Sequence, residues 1–256
     1  EITEDINLGC NEIDDFGSYS KIIKAYTAQP LTHPTLIKTG VSVLMLDGFA
    51  NVTIFSSNGS SIKHANITMK NSSNIIIRNI KFDELWEWDE ETSGDYDRND
   101  WDYMTIDSAC NGIWIDHCTF YKAYDGVIDV KNPSPENNVT ISWCEFLPGS
   151  EDDIFFDAMM DELDRNSEKY PYYQHLLDAG MTKSQIRGYA YGQKKTHLFG
   201  QSDEAANAAG IKVTLANNYY YNSMDRMPRL RYGYTHVYNC IMDAQELRDT
   251  RKSITN

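Results

Sequence analysis

Short runs in which aliphatic and polar residues alternate recur along the chain. They are Asn51-Val-Thr-Ile, Asn74-Ile-Ile-Ile-Arg-Asn-Ile-Lys-Phe, Gly112-Ile-Trp-Ile-Asp-His-Cys-Thr-Phe, Asn138-Val-Thr-Ile-Ser-Trp-Cys-Glu-Phe, Lys212-Val-Thr-Leu-Ala-Asn-Asn-Tyr-Tyr and Tyr234-Thr-His-Val-Tyr-Asn-Cys. Aliphatic residues at every second position mark a strand with one buried face. Three of the five steps between the starts of these runs are 22–26 residues. That period predicts a solenoid of short strands separated by turns, and the two longer steps predict coils carrying insertions. Equivalent positions also match from run to run. Cys118, Cys144, Asn218 and Cys240 share one offset, and His117, Trp143, Asn217 and Asn239 share its neighbour. Stacked coils lay such residues over one another about 4.8 Å apart, so Cys118 and Cys144 are expected as stacked interior thiols rather than a disulfide. Triplets at Asn51, Asn58, Asn66, Asn71 and Asn138 fit the glycosylation pattern, but their strand-start placement favours turn chemistry. The expected fold is an all-β parallel β-helix, a single domain over residues 1–256.

Two segments break the alternation. Residues 84–101 are acidic and aromatic, with Gly94 as punctuation. Residues 149–193 carry helical spacing instead, with Ile154, Phe155, Ala158, Met159 and Leu163 on one stripe. Thr182 is placed to cap a later helix after a stop at Gly180. Insertions of this kind gather on one side of a solenoid and often build its binding face. Trp86, Trp88, Trp101, Tyr170, Tyr172 and Tyr173 are available either to stack on a ligand or to pin the insertions to the coil.

Composition narrows the partners. Of 256 residues, 23 are Lys or Arg and 38 are Asp or Glu, a formal charge of −15. No basic face is available to displace counterions from a nucleic acid, and no apolar run reaches the roughly 18 residues of a membrane span. The same charge repels any acidic polymer unless metal cations or a local basic patch intervene. Five scattered cysteines, Cys10, Cys110, Cys118, Cys144 and Cys240, form no CxxC pair and no zinc pattern. The first residue is Glu1, so a leader is expected to be absent or already removed. The last recognisable strand lies about a dozen residues from Asn256.

The candidate chemistry lies in two charge clusters. Asp100 and Asp102 share strand parity, as do Asp125 and Asp129 across Val127. If neighbouring coils stack in register, three or four carboxylates meet. Like charges so close require a cation, and hard oxygen ligands favour Ca²⁺. Carboxylates near strand ends also occur simply as solvated surface groups, so spacing alone leaves both readings open. The scarce cations are grouped as well: Lys194 and Lys195 precede Thr196-His-Leu-Phe-Gly200, and Arg226, Arg229 and Arg231 fall at strand spacing. Such a group either recognises an anionic ligand through a bridging cation or offsets the negative surface as salt bridges.

Five motifs in order, Trp114-Ile-Asp-His117, Asp125-Gly-Val-Ile-Asp129, Lys195…Leu198-Phe-Gly200, Arg226-Met-Pro-Arg229 and His236-Val-Tyr-Asn239, resemble the pectate lyase superfamily, polysaccharide lyase family 1. The resemblance runs from about Asn51 to Asp243 and implies a right-handed parallel β-helix. It further implies a secreted, calcium-dependent lyase that acts as a monomer on polygalacturonate or pectin, with no nucleic acid and no membrane involved. Taken residue by residue, it implies calcium ligands at Asp102, Asp125 and Asp129, with Asp100 as an accessory calcium or substrate-side aspartate. Lys195 is similar to the lysine that meets the substrate carboxylate, and Arg226 to the base that takes the C5 proton in β-elimination. Arg231 is similar to the arginine that pairs with a substrate carboxylate or a neighbouring calcium, and Arg229 stands beside it for substrate binding. A free guanidinium holds its proton above pH 12, so an arginine base implies an alkaline optimum. His117 is expected to be a structural hydrogen-bonding residue.

The chain departs from the family at residues 149–193, where many relatives have a short link with a histidine close to the lysine. This bears on pocket shape and specificity more than on the reaction. Three other readings stand beside this one. A pectin lyase acting on methyl-esterified polymer replaces calcium carboxylates with basic residues, whereas Asp102, Asp125 and Asp129 are acidic here. A β-helical hydrolase uses paired carboxylates and leaves a saturated product. A non-catalytic carbohydrate-binding β-helix explains the repeat but not the joint occurrence of Lys195, Arg226 and Arg231 with the carboxylates.

Overall fold

A computed structural model describes residues 1–8, 42–85, 102–121, 123, 125–133, 137–149, 154–191 and 195–244. The alternating runs form strands of a parallel β-helix with three sheets. A long-strand sheet contains Ala50–Phe55, Ser73–Arg78, Asn111–Asp116, Asn137–Ser142, Ile211–Ala216 and Tyr234–Tyr238. A second, the site sheet, contains Ser42–Asp47, Ala65–Lys70, Met104–Ile106, Ile128–Val130, His197–Phe199 and Arg229–Leu230. Strands of two or three residues, from Ile6–Asn7 to Ile241–Asp243, make the third. Every pair is parallel and in register, so Ile113, Val139 and Val213 stand in one line, as do Ile115, Ile141 and Leu215.

Stacking explains why like residues recur. Phe82, Phe120, Phe146 and Tyr220 form a continuous stack inside the solenoid, with centroids 4.8–5.3 Å apart and planes within 8° of parallel. Cys118 and Cys144 are buried free thiols, as their shared offset predicts. Asn218 continues that line, and its side chain accepts from Cys144 N–H and donates to Ile141 O, each at 2.9 Å. The preceding positions, His117, Trp143, Asn217 and Asn239, all adopt positive φ of 51–58°. Asn tolerates that left-handed turn well; His and Trp in the same role show that the coil dictates the conformation.

The 149–193 segment contains helices Ile154–Arg165, Pro171–Asp178 and Lys183–Tyr191. Thr182 and Gln185 form a reciprocal capping box, with Gln185 N–H to Thr182 Oγ1 at 3.2 Å and Thr182 N–H to Gln185 Oε1 at 2.8 Å. Tyr170 and Tyr173 are buried and donate to Glu162 and Asp164, so both pin the insertion. Trp86, Trp88, Trp101, Asp100, Lys194 and Cys10 lie outside the described residues. No described helix is long and apolar enough to cross a membrane.

Two histidines are sealed in the interior. Burial pushes His197 down to about 3, with its ring within 3.1 Å of the Tyr220 hydroxyl. Burial, then the Lys63 charge, does the same to His64. Both are neutral in the fold but bind a proton below about 6.5 once unfolded. Their contribution is therefore complete above about pH 6.5 and is lost as pH falls towards 3. A His197→Gln variant is expected to lose less stability to urea between pH 6.5 and 4.5 than the parent; equal losses would show that His197 does not titrate this way.

Candidate active site

Register along the site sheet decides which side chains meet. Just before the strands, Met104 N–H bonds Val127 O, Ile128 N–H bonds Thr196 O and His197 N–H bonds Arg226 O, at 2.8–3.0 Å. Tyr103, Val127, Thr196 and Arg226 thus occupy equivalent places on four successive coils, which brings the segments around Asp102, Asp125, Lys195 and Arg226 side by side. Within the strands, Asp129 lies between Thr105 and Leu198, and Leu198 is followed by Arg229. Met104, Ile128 and His197 on one side of that row face the buried interior, so Asp129 and Arg229 point outward.

Asp102 and Asp129 converge although both are almost wholly buried. Gly126 N–H donates to Asp102 Oδ1 at 2.9 Å. A Cβ on Gly126 would stand 2.5 Å from Asp102 Oδ1 and 3.3 Å from Asp129 Oδ1, so the two carboxylates close over a point only glycine leaves open. Lys131 Nζ lies 3.4 Å from Asp129 Oδ2 and 4.0 Å from Asp102 Oδ2. Asp125 is also buried and is ion-paired with Lys195. Asn66 anchors the Asp102 backbone by donating to its carbonyl at 2.6 Å. We expect Gly126→Ala to lower stability by about 1–3 kcal/mol, because the new Cβ would stand 2.5 Å from an oxygen of the fully buried Asp102. An unchanged melting temperature would count against this packing.

The arginines differ in their restraints. Arg226 has φ of 59°, and its backbone N–H bonds Asp225 Oδ1 at 2.7 Å. Its Nε is buried without a hydrogen-bond partner, and among the described residues no carboxylate pairs with its guanidinium. Arg231 is fixed by Asp203 at 3.0 Å and by the Gln201 carbonyl at 2.7 Å. Arg229 is exposed beside Leu198. The sequence-predicted residues Asp102, Asp125, Asp129, Lys195 and Arg226 are therefore gathered on neighbouring coils, while Arg231 is turned towards Gln201 and Asp203. Lys131 and Gly126 join them without having been predicted. Lys131 shares the parity of Asp129, and that was the available signal.

Among the described residues no three His, Cys, Asp or Glu side chains gather to hold a metal ion. The converging Asp102–Asp129 pair nevertheless offers hard oxygen donors, and the glycine-only cradle beneath it fits a hard cation such as Ca²⁺. Asp125 is held by Lys195 beside this pair rather than within it.

The chain belongs to the pectate lyase family, whose sequence profile matches residues 45–174 and 182–253. It is 48% identical to Pectate lyase B of Paenibacillus amylolyticus, over 100% of this chain and 65% of that protein. It is 29% identical to a pectate trisaccharide-lyase of Thermotoga maritima, over 87% of this chain and 51% of the other. The solved pectate lyase of Paenibacillus sp. 0602 superposes with a TM-score of 0.82 at 45% identity, covering 98% of this chain and 56% of that one. This similarity gives the β-helix its right-handed sense. The chain thus spans between about half and two thirds of the length of these relatives.

Proposed function

We propose that this chain carries the catalytic face of a calcium-dependent pectate lyase that cleaves α-1,4-linked galacturonan by β-elimination. The observation that carries the reading is the alignment of Asp102, Asp125, Asp129, Lys195 and Arg226 along one edge of the site sheet, in a chain of this family. The names of its relatives, pectate lyase and pectate trisaccharide-lyase, support the substrate class.

Asp102 and Asp129 would hold the calcium ion, joined by Asp125 once Lys195 leaves it for substrate, with Asp100 as an accessory ligand or substrate contact. When bound, calcium supplies positive charge against the substrate carboxylate, where negative charge builds as the adjacent C–H bond breaks. Lys195 exchanges its Asp125 partner for the substrate carboxylate, which costs less than leaving either charge buried alone. Arg226 accepts the proton from C5. The electron pair left behind forms the C4–C5 double bond, the C4–O bond breaks, and the departing oxygen takes a proton from solvent. Arg229 and Arg231 supply further positive charge for uronates along the chain. The buried carboxylates favour this reading over a calcium-free lyase of esterified pectin. The enzyme acts outside the cytoplasm as a monomer. Polygalacturonate digestion tests the proposal: shortened chains with ultraviolet-absorbing unsaturated ends support it, and saturated ends point to hydrolysis.

A further inference from the structure

The carboxylate pair Asp102 and Asp129 is already met by a cation of the chain's own. Lys131 Nζ lies 3.4 Å from Asp129 Oδ2 and 4.0 Å from Asp102 Oδ2. The lysine side chain is 18% exposed and the carboxylates 1% and 0%, so this is an interior triad of charges rather than a solvated surface pair. Two carboxylates closing over Gly126 repel each other, and burial raises the cost of leaving either charge uncompensated. One ammonium offsets only half of their charge, so the pair stays attractive to a divalent ion. The strand path sets the arrangement. Asp129 and Lys131 share parity on either side of the buried Val130, at the end of the strand Ile128–Val130. Lys131 N–H bonds Ile106 O at 2.8 Å, which places its backbone beside Asp107 on the preceding coil. Asp107 is met by Lys70 at 3.6 Å and by Asn132 Nδ2 at 2.9 Å, whereas the Lys131 ammonium reaches the buried pair.

Two cations on the same oxygen oppose each other. A calcium ion bonded to Asp129 Oδ2 at about 2.3–2.6 Å would stand within about 6 Å of the Lys131 ammonium where it now lies. Like charges at that spacing repel strongly away from bulk water. Lysine is a point charge on a flexible four-carbon stem, and its partial exposure gives the ammonium a way out to solvent. We infer that Lys131 is a resident counter-cation of the metal site. It holds Asp102 and Asp129 together in the calcium-free fold, gives way when calcium enters, and so sets how tightly calcium binds. Its part differs from that of Lys195, which leaves Asp125 for a substrate carboxylate; Lys131 yields to the metal itself. The inference rests on the calcium reading above.

The test titrates calcium into the full chain by calorimetry, for the parent, Lys131→Gln and Lys131→Arg, and melts each in chelator and in calcium. Lys131→Gln keeps a hydrogen-bond donor but no charge. It is expected to melt below the parent in chelator, to bind calcium about tenfold or more tightly, and to gain more than the parent from calcium on melting. Lys131→Arg keeps the charge and is expected to bind calcium no more tightly than the parent. If the parent binds calcium and Lys131→Gln binds it equally or more weakly, the inference is overturned and the calcium reading stands. If the parent binds no calcium, both fall. A measurement on the parent alone decides the matter should Lys131→Gln fail to fold. Acylation of Lys131 by an amine-reactive reagent, followed by mass spectrometry, should run several-fold faster in calcium than in chelator. Equal or slower labelling shows that the lysine stays in place and overturns the inference.

Discussion

Replacing Arg226 with Ala is expected to lower turnover of polygalacturonate by about 10²–10⁴-fold, the usual contribution of a positioned base, with polymer binding retained. Arg226 lies on the coil after Lys195, with its carbonyl bonded to His197 N–H. Its side chain is not needed for that backbone pairing, so folding is expected to survive. Arg226→Lys is equally informative, since it keeps a cation but not the guanidinium geometry. It should be as inactive as the alanine variant and melt at the parent temperature. Because an arginine must shed a proton before it acts, residual lyase activity in the parent should rise towards alkaline pH. Retained turnover in Arg226→Lys, or an acidic optimum, would remove Arg226 from the chemistry.

Asp129→Ala is the second large effect. Asp129 is 1% exposed and lies with Asp102 over Gly126. Its removal takes away half of the converging pair and leaves the mostly buried Lys131 with Asp102 4.0 Å away. Loss of a bound cation's charge is worth several kcal/mol in such a reaction, so activity should fall by about 10²-fold or more. A readout independent of turnover is the melting temperature. A calcium-binding parent gains about 2.7 kcal/mol when calcium is 100-fold above its dissociation constant, and the variant should show no such rise. A calcium-induced rise equal to the parent's would place the ion elsewhere.

Much of the fold was legible because a solenoid repeats its local code. Asn138-Val-Thr-Ile reads as a half-buried strand by alternation alone. The shared offset of Cys118, Cys144 and Asn218 anticipates their stacking because parallel in-register coils put equal positions in contact. The capping role of Thr182 was equally local. The site was only partly legible. Parity suggested that Asp102 and Asp129 meet, but their convergence depends on the backbone path at Gly126, whose lack of a Cβ matters only once the coils are stacked. The Asp125–Lys195 pair spans 70 residues and the whole helical insertion, a separation that no local spacing encodes. Arg231 has strand spacing from Arg229 yet turns to Asp203 and Gln201, because it follows the strand Arg229–Leu230 rather than lying in it. Trp114 lies in the strand Asn111–Asp116 and Trp143 follows the strand Asn137–Ser142, and only the stacked coils show that Ser142, Asp116 and His117 link them.

The central claim is that these carboxylates, Lys195 and Arg226 together perform a calcium-dependent elimination on galacturonan. The most direct measurement follows ultraviolet absorbance from 4,5-unsaturated uronate during incubation with polygalacturonate, first with calcium and then with excess chelator. Absorbance that rises with calcium, stops with chelator and resumes when calcium is restored is the predicted result. Reducing ends released without that absorbance, or absorbance indifferent to chelator, would contradict the account.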